Sequence, residues 1–265
     1  MISIENFGNP YIAGRLGNQI FQFAFLYSFY KRKNYNIALE FRNDCQFWKC
    51  FDILEPKIYD FRIEDFDEII EENKGSCNFD KNLLNQGDRI IFSGYFQSYL
   101  YFDEFKNDLI KTLQFKKDIQ QEGNLELEKF KNPISLHVRR TDYLSSPIWG
   151  DLIKEGYYEK ALSDVKNDDD VLVFSDDIKF VKDYFKNRKN FHVIDKDEYV
   201  SLYMMTKCEK HIIANSSFSW MGAYLSGKEN ITCPNPWFPP IFPKPNNIQK
   251  DVTKKEWRKI SVFKQ

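Results

Sequence analysis

The chain has 265 residues, 42% of them apolar and 17% aromatic, including 25 Phe and 15 Tyr, which excludes a disordered chain. That length suits one large core or two of about 130 residues each, and two modest α/β lobes fit better. A formal charge of −1 gives no basis for non-specific nucleic-acid binding, although a local basic cleft can sit inside a near-neutral surface.

Residues 1–15 read as a strand followed by a Gly/Asn/Pro turn, and GRLGN then leads into a helical pattern over 19–33. Strand, glycine turn and helix begin a Rossmann-like unit. The apolar run IFQFAFLYSFY (20–30) contains Gln22 and Ser28, is too short to span a bilayer, and reads as a buried helix; no integral membrane segment is expected. NIALE (36–40) and RIIFSGYF (89–96) are the next strands, with a poorly patterned stretch between them. A helix over 101–113 follows, then the polar run KKDIQQEGNLELEKFKN, read as linker or exposed helix, which sets the expected lobes at 1–130 and 131–265.

The second half alternates cleanly. Strands are expected at ISLHV (134–138), VLVFS (171–175), FHVI (191–194) and HIIAN (211–215), with helices over 157–165, 178–185, 199–207 and 218–225. This pattern implies a parallel sheet with right-handed crossovers. The closing NPWFPPIFPKPNN reads as irregular.

Three polar clusters each follow a strand: HVRRTDY, SDD and NSSFSW. In a parallel sheet they share the carboxyl edge, where ligands bind. Adjacent arginines there suit phosphate oxygens, and NSSFSW adds hydroxyls and a helix N-terminus. The reading is a diphosphate held between Arg139 and the Asn215, Ser216, Ser217, Phe218, Ser219 turn. Ser175 and Asp176 supply acceptors for ribose or base, and Asp176 or Asp177 serves equally well as a helix cap. Strand alternation puts His137 and Arg139 on one side and pairs Arg140 with Asp142. Asp168 to Asp170 precede a strand and read as a solvated turn, not a metal site. In GRLGNQ, Gly14 and Gly17 permit tight backbone, while Asn18 either caps its helix or offers its amide to a ligand. Trp48, Tyr95 and Phe96 either offer a flat face to a ligand or fill core. Cys45, Cys50, Cys77, Cys208 and Cys233, odd in number and without CxxC spacing, argue against disulfides and zinc and for a reducing compartment, so a cytoplasmic location is expected, free or peripheral to a membrane.

GRLGNQIFQFA, HVRRTDY, VFSDD and IIANSSFSWMGAYL resemble, in order and spacing, the α-1,2-fucosyltransferases of glycosyltransferase family 11, over roughly residues 14–240. The resemblance implies a GT-B-type α/β fold of two Rossmann-like lobes with a cleft between them. It implies inverting, metal-independent transfer of L-fucose from GDP-fucose to the 2-hydroxyl of a galactose-terminated glycan, with GDP-fucose as donor substrate and no cofactor. Arg139 then binds the β-phosphate and helps GDP depart. Asn18 and the adjoining Gly17 lie near the fucosyl and pyrophosphate groups, His137 lies alongside the nucleotide, and Ser216 to Ser219 contact phosphates or base. Thr141 stands where the family has glycine, Met221 where a second Trp is common, and Ser201 where an acid is often found, with Asp197 and Glu198 a turn earlier. Asp142, Asp176 and Glu5 are open candidates for a catalytic base. The motifs also leave open another nucleotide sugar or acceptor hydroxyl, or a non-catalytic binding module.

Overall fold

The computed structural model describes residues 1–12, 14–73, 77–240 and 249–263. They form two compact units, Met1–Lys116 with Lys250–Val252 and Lys117–Gln249 with Thr253–Gln265.

In the first unit, β1 (Ile2–Ile4), α1 (Leu16–Lys33), β2 (Ile37–Ala38), α2 (Gln46–Cys50), β3 (Phe51–Ile53), β4 (Ile58–Tyr59), β5 (Glu68–Glu71), α3 (Lys81–Leu84), β6 (Ile90–Ser93), α4 (Lys106–Thr112) and β7 (Leu113–Phe115) follow in order. The parallel sheet has the order β4-β2-β1-β6-β5, and β3 pairs antiparallel with β7. The apolar run expected to be a buried helix is α1, which buries Leu16, Gly17 and an almost unbroken stretch from Gln19 to Phe29. Each fully buried Phe there contributes about 1.5–3 kcal/mol by transfer alone. Phe25 alone contacts Phe29, Phe92, Phe96 and Tyr101. Asn34, left-handed at φ 56°, ends the helix, and Lys31, Arg32 and Lys33 complement its negative end.

The second unit runs α5 (Lys117–Leu127), β8 (Ile134–Val138), α6 (Tyr157–Ala161), β9 (Val171–Ser175), α7 (Ile178–Tyr184), β10 (Phe191–Val193), α8 (Glu198–Thr206), β11 (Lys210–Ile212), α9 (Ser217–Leu225), β12 (Ile231–Asn235) and β13 (Arg258–Ser261). All neighbours in its sheet, β10-β9-β8-β11-β12-β13, are parallel. Ile134, Leu136 and Val138 face a core that includes Tyr157 and Tyr158. The tyrosine tips bury without loss because Tyr158 donates to the His137 carbonyl at 3.0 Å, while Tyr157 donates to those of Ile213 and Thr232 at 2.6 and 3.1 Å.

Two expectations change. The boundary set at residue 130 falls at 116/117, and of the two readings of the polar run, linker or exposed helix, the structure has the helix, α5. It docks on α8, where a Cβ on Gly123 would come within 2.4 Å of Tyr203, and Tyr203 bonds Asn124 at 2.8 Å. The supposedly irregular C-terminal stretch contributes the last residue of β12, and β13 was not foreseen at all. Residues 241–247 of the proline-rich run lie outside the described residues. No helix among the described residues is long and apolar enough to cross a membrane.

Candidate active site

In the second unit the three polar clusters meet. Because β8 lies between β9 and β11, the loops leaving their carboxyl ends are neighbours. The chain runs from β8 outward to β9 and β10 and in the other direction to β11 and β12, so the β8/β11 junction is the topological switch point.

Arg139 leaves β8 with its side chain only 11% exposed, its Nη2 2.6 Å from Asp142 and its Nη1 3.0 Å from Asp176. Its guanidinium also lies 5.4 Å from the centre of the Tyr143 ring. The two carboxylates differ in kind. Asp176 is 18% exposed and accepts from the backbone N–H of Arg140 at 2.8 Å and of Thr141 at 3.1 Å, and from the Thr141 hydroxyl. It is the post around which the HVRRTDY loop is folded. Asp142 is 53% exposed, so the Nη2 partner lies on the solvent side.

The expected Arg140–Asp142 pair does not form. Arg140 instead pairs with Asp177 at 3.2 Å and lies 3.7 Å over the Phe180 ring, while Asp142 goes to Arg139. Strand alternation misled because β8 ends at Val138 and the chain turns at once. Ser175 and Asp176 are committed within the protein, Ser175 Oγ accepting from Asp177 N at 3.0 Å. Asp177 is the cap of α7, accepting from Phe180 N at 3.1 Å. Asp197 likewise caps α8, and Ser201 donates to the Lys196 carbonyl.

His137 is buried at 4% exposure on the opposite sheet face from Leu136, its ring 5.6 Å from Phe218. Burial lowers its pKa to about 4, so at neutral pH it is an uncharged packing group beside the Arg139 turn and supplies no cation. Asn215 is also buried, and its amide donates to the Trp149 carbonyl at 2.7 Å. Tyr143, which the motif did not single out, bridges the loops: its hydroxyl donates to the Asn215 carbonyl at 2.9 Å, bonds the Ser216 side chain, and its ring stacks on Trp149. Ser219 turns inward to the carbonyls of Ala214 and Ser216. Ser216 stands at the cap position of α9 without spending its hydroxyl on a cap bond, and Ser217 opens the helix half-buried. What this edge presents to a ligand is therefore the Arg139 fork, Ser217 and the first-turn N–H groups of α9. That is an anion-binding set. Among the described residues no three His, Cys, Asp or Glu side chains gather as a metal site would require.

Gly17 and Asn18 belong to the first unit, in the opening turn of α1 beyond β1. Gly14, at φ +86°, turns the chain, and its carbonyl accepts from Gln19 Nε2 at 3.0 Å. Gln19 Oε1 accepts from Phe47 N and Gln46 Oε1 from Leu16 N, both at 2.8 Å, so the glycine turn is tied to α2. Gly17 is buried in that turn. Asn18 does not cap the helix; its Oδ1 accepts from Gln97 Nε2 at 2.7 Å. Of the aromatic candidates, Phe96 is core, stacked on Phe25 at 4.0 Å, while Tyr95 is 42% exposed.

The family model for glycosyl transferase family 11 matches residues 9–261. The chain belongs to glycosyltransferase family 11. As a family 11 glycosyltransferase it is an enzyme, and HVRRTDY, SDD and NSSFSW are the strand-end loops of its second unit. The O-antigen biosynthesis glycosyltransferase WbnK of Escherichia coli is 33% identical over 167 residues, 56% of this chain and 55% of that protein. The chain thus spans about half of that relative's length. An alpha-1,2-colitosyltransferase of Escherichia coli is 28% identical over 86% of this chain and 91% of its own. Among solved structures, fucosyltransferase NodZ from Bradyrhizobium superposes with a TM-score of 0.54 at 14% identity, covering 79% of this chain and 89% of its own. POFUT1 in complex with GDP gives 0.52 at 14% identity, over 86% and 94%. These likenesses show the fold, the GT-B-type pairing of two α/β units expected from the motifs.

Proposed function

We propose that the chain is an inverting, metal-independent α-1,2-fucosyltransferase that moves L-fucose from GDP-fucose to the 2-hydroxyl of a galactoside in building a glycan or surface polysaccharide. The observation that carries this reading is Arg139, a nearly buried guanidinium at the switch point beside the first turn of α9, whose solvent-side donor is occupied by Asp142. A donor diphosphate takes the place of Asp142, while Asp176 keeps the guanidinium aimed. The acceptor oxygen bonds to the anomeric carbon as the bond to the β-phosphate breaks and its electron pair leaves with GDP. Arg139 and the helix N–H groups meet that charge as it develops. Asn18 acts on the fucosyl and pyrophosphate groups. Asp176 is spent on Arg139, on the Arg140 and Thr141 N–H groups and on the Thr141 hydroxyl, which speaks against it as the base.

The linkage draws support from the alpha-1,2-colitosyltransferase relative, and the donor from a NodZ alpha-1,6-fucosyltransferase structure soaked with GDP-fucose, similar at a TM-score of 0.52. The same relative favours a second reading in which the sugar is colitose. Calorimetry with GDP-fucose and GDP-colitose against UDP and dTDP sugars, followed by linkage analysis of the product on lactose, separates them. Binding of GDP-fucose and an α-1,2 product are expected; heat from another donor alone overturns the reading. Arg139→Ala should lower kcat/KM for transfer by about 10²- to 10³-fold, and near-normal transfer removes Arg139 from the mechanism.

A further inference from the structure

One polar cluster of the first unit has no part in the reaction so far, and it lies at the carboxyl ends of β5 and β6, beside the turn that carries Asn18. Glu72 follows β5 and is 8% exposed; its Oε2 accepts from the backbone N–H groups of Tyr95 and Phe96, both at 2.9 Å. The turn it pins is tight. A Cβ on Gly94 would lie 2.5 Å from Glu72 Cβ, Gln22 Nε2 donates to the Gly94 carbonyl at 2.9 Å, and Phe96 is left-handed at φ 52°. A left-handed bulky residue is strained backbone that only surrounding structure maintains. The residue this turn delivers is Gln97.

Both ends of the Gln97 amide are spoken for. Its Oε1 accepts from Cys77 Sγ at 3.6 Å, and its Nε2 donates to Asn18 Oδ1 at 2.7 Å. Burial and the nearby Glu72 push the Cys77 thiol up to about 12, so it stays protonated and can donate to Oε1, in keeping with this orientation of the Gln97 amide. With Oδ1 engaged, the Asn18 NH2 group turns toward Gly14, where an added Cβ would come within 2.2 Å of Nδ2. The half-buried amide therefore presents its donor end, not its acceptor end, along the glycine turn.

We propose that Gln97 is a positioning residue for the transfer reaction, holding the Asn18 amide so that its NH2 group meets the oxygens of the departing diphosphate. The inference rests on the reading of Asn18 given above. Gln97 acts on the reaction only through Asn18, and that separates it from a residue that merely braces two loops.

The test is a double-mutant cycle in kcat. Gln97→Met keeps length and bulk but removes the N–H and should lower kcat about tenfold, with the acceptor KM unchanged. Asn18→Ala should lower it about 100-fold, and the double variant should match Asn18→Ala within twofold. Gln97→Glu should fall nearly as far as Asn18→Ala, because the carboxylate captures the NH2 and turns Oδ1 toward the ligand; it also serves should Gln97→Met fail to fold. Gln97→Met within twofold of wild type, or losses that multiply in the double variant, overturns the proposal. If the wild-type protein transfers no fucose, the functional reading fails separately. The side-chain NH2 resonance of Asn18 then decides the role of Gln97: it should shift on adding GDP in the wild type and not in Gln97→Glu, and equal shifts overturn it.

Discussion

Asp142 and Asp176 hold the same guanidinium but have opposite consequences for a ligand. Asp176 is anchored by two backbone N–H groups and the Thr141 hydroxyl, so losing it frees the whole loop. Asp142 is more than half exposed and meets the outer donor of Arg139. Asp142→Asn should therefore tighten GDP binding by calorimetry several-fold, whereas Asp176→Asn should weaken it. Glu72 gives a pH-dependent signature of its own. Burial outweighs its two N–H bonds and raises its pKa from 4.5 to about 7. Across that window the folded state keeps a proton that the unfolded state gives up, so the stability tied to Glu72 is full below about pH 4.5 and is lost as pH rises to about 7. Relative to Glu72→Gln, which cannot titrate, the wild type should lose a few kcal/mol between pH 5 and 8 in denaturant titrations. An offset that stays constant with pH would rule this out.

At the scale of elements, Asp177 is the single carboxylate that starts α7 and also pairs with Arg140. Asp177→Ala should cost about 1–2 kcal/mol in chemical unfolding, with kcat much less affected than by Arg139→Ala. The sequence named SDD as either ligand or cap, and the structure divides the pair: Asp176 to the loop, Asp177 to the helix. Strands β8 and β9 were legible to the residue because each is a short run built mainly of Ile, Leu, Val and Phe with charged residues just beyond. β4 and β5 were not, since two to four residues with exposed side chains carry no period. β12 was hidden by Pro234 in its body and β13 by its charged neighbours. The three strand-end clusters were placed on one edge correctly, and their internal pairing was not, because alternation ceases to apply once β8 has ended. Gln97 and Glu72 left no trace in the sequence; nothing in a Gln or Glu letter says that it will be buried.

Over the whole molecule, the cysteines show how tightly both units close. All five are free and buried; burial pushes the thiols of Cys77 and Cys233 up to about 12 and raises that of Cys208 as well. A thiol reagent at pH 8 should label less than one site per chain within minutes in buffer, and five in guanidinium. Rapid labelling of one or more in buffer would mean that a unit opens locally well below the cost of global unfolding. The buried histidines act in the opposite sense to Glu72: His137 and His211 are lowered to about 4 and about 3, so their contribution is lost as pH falls below about 6.5.

The Arg139–Asp142 contact also bears on how the donor site responds to ionic strength. Where a bare arginine captures a phosphate, added salt screens a newly made attraction. Here one anion is exchanged for another on the same nitrogen, so screening weakens what is lost nearly as much as what is gained. GDP affinity should then fall only gently with salt in the wild type and more steeply in Asp142→Asn, making the carboxylate a buffer of binding against the ionic medium.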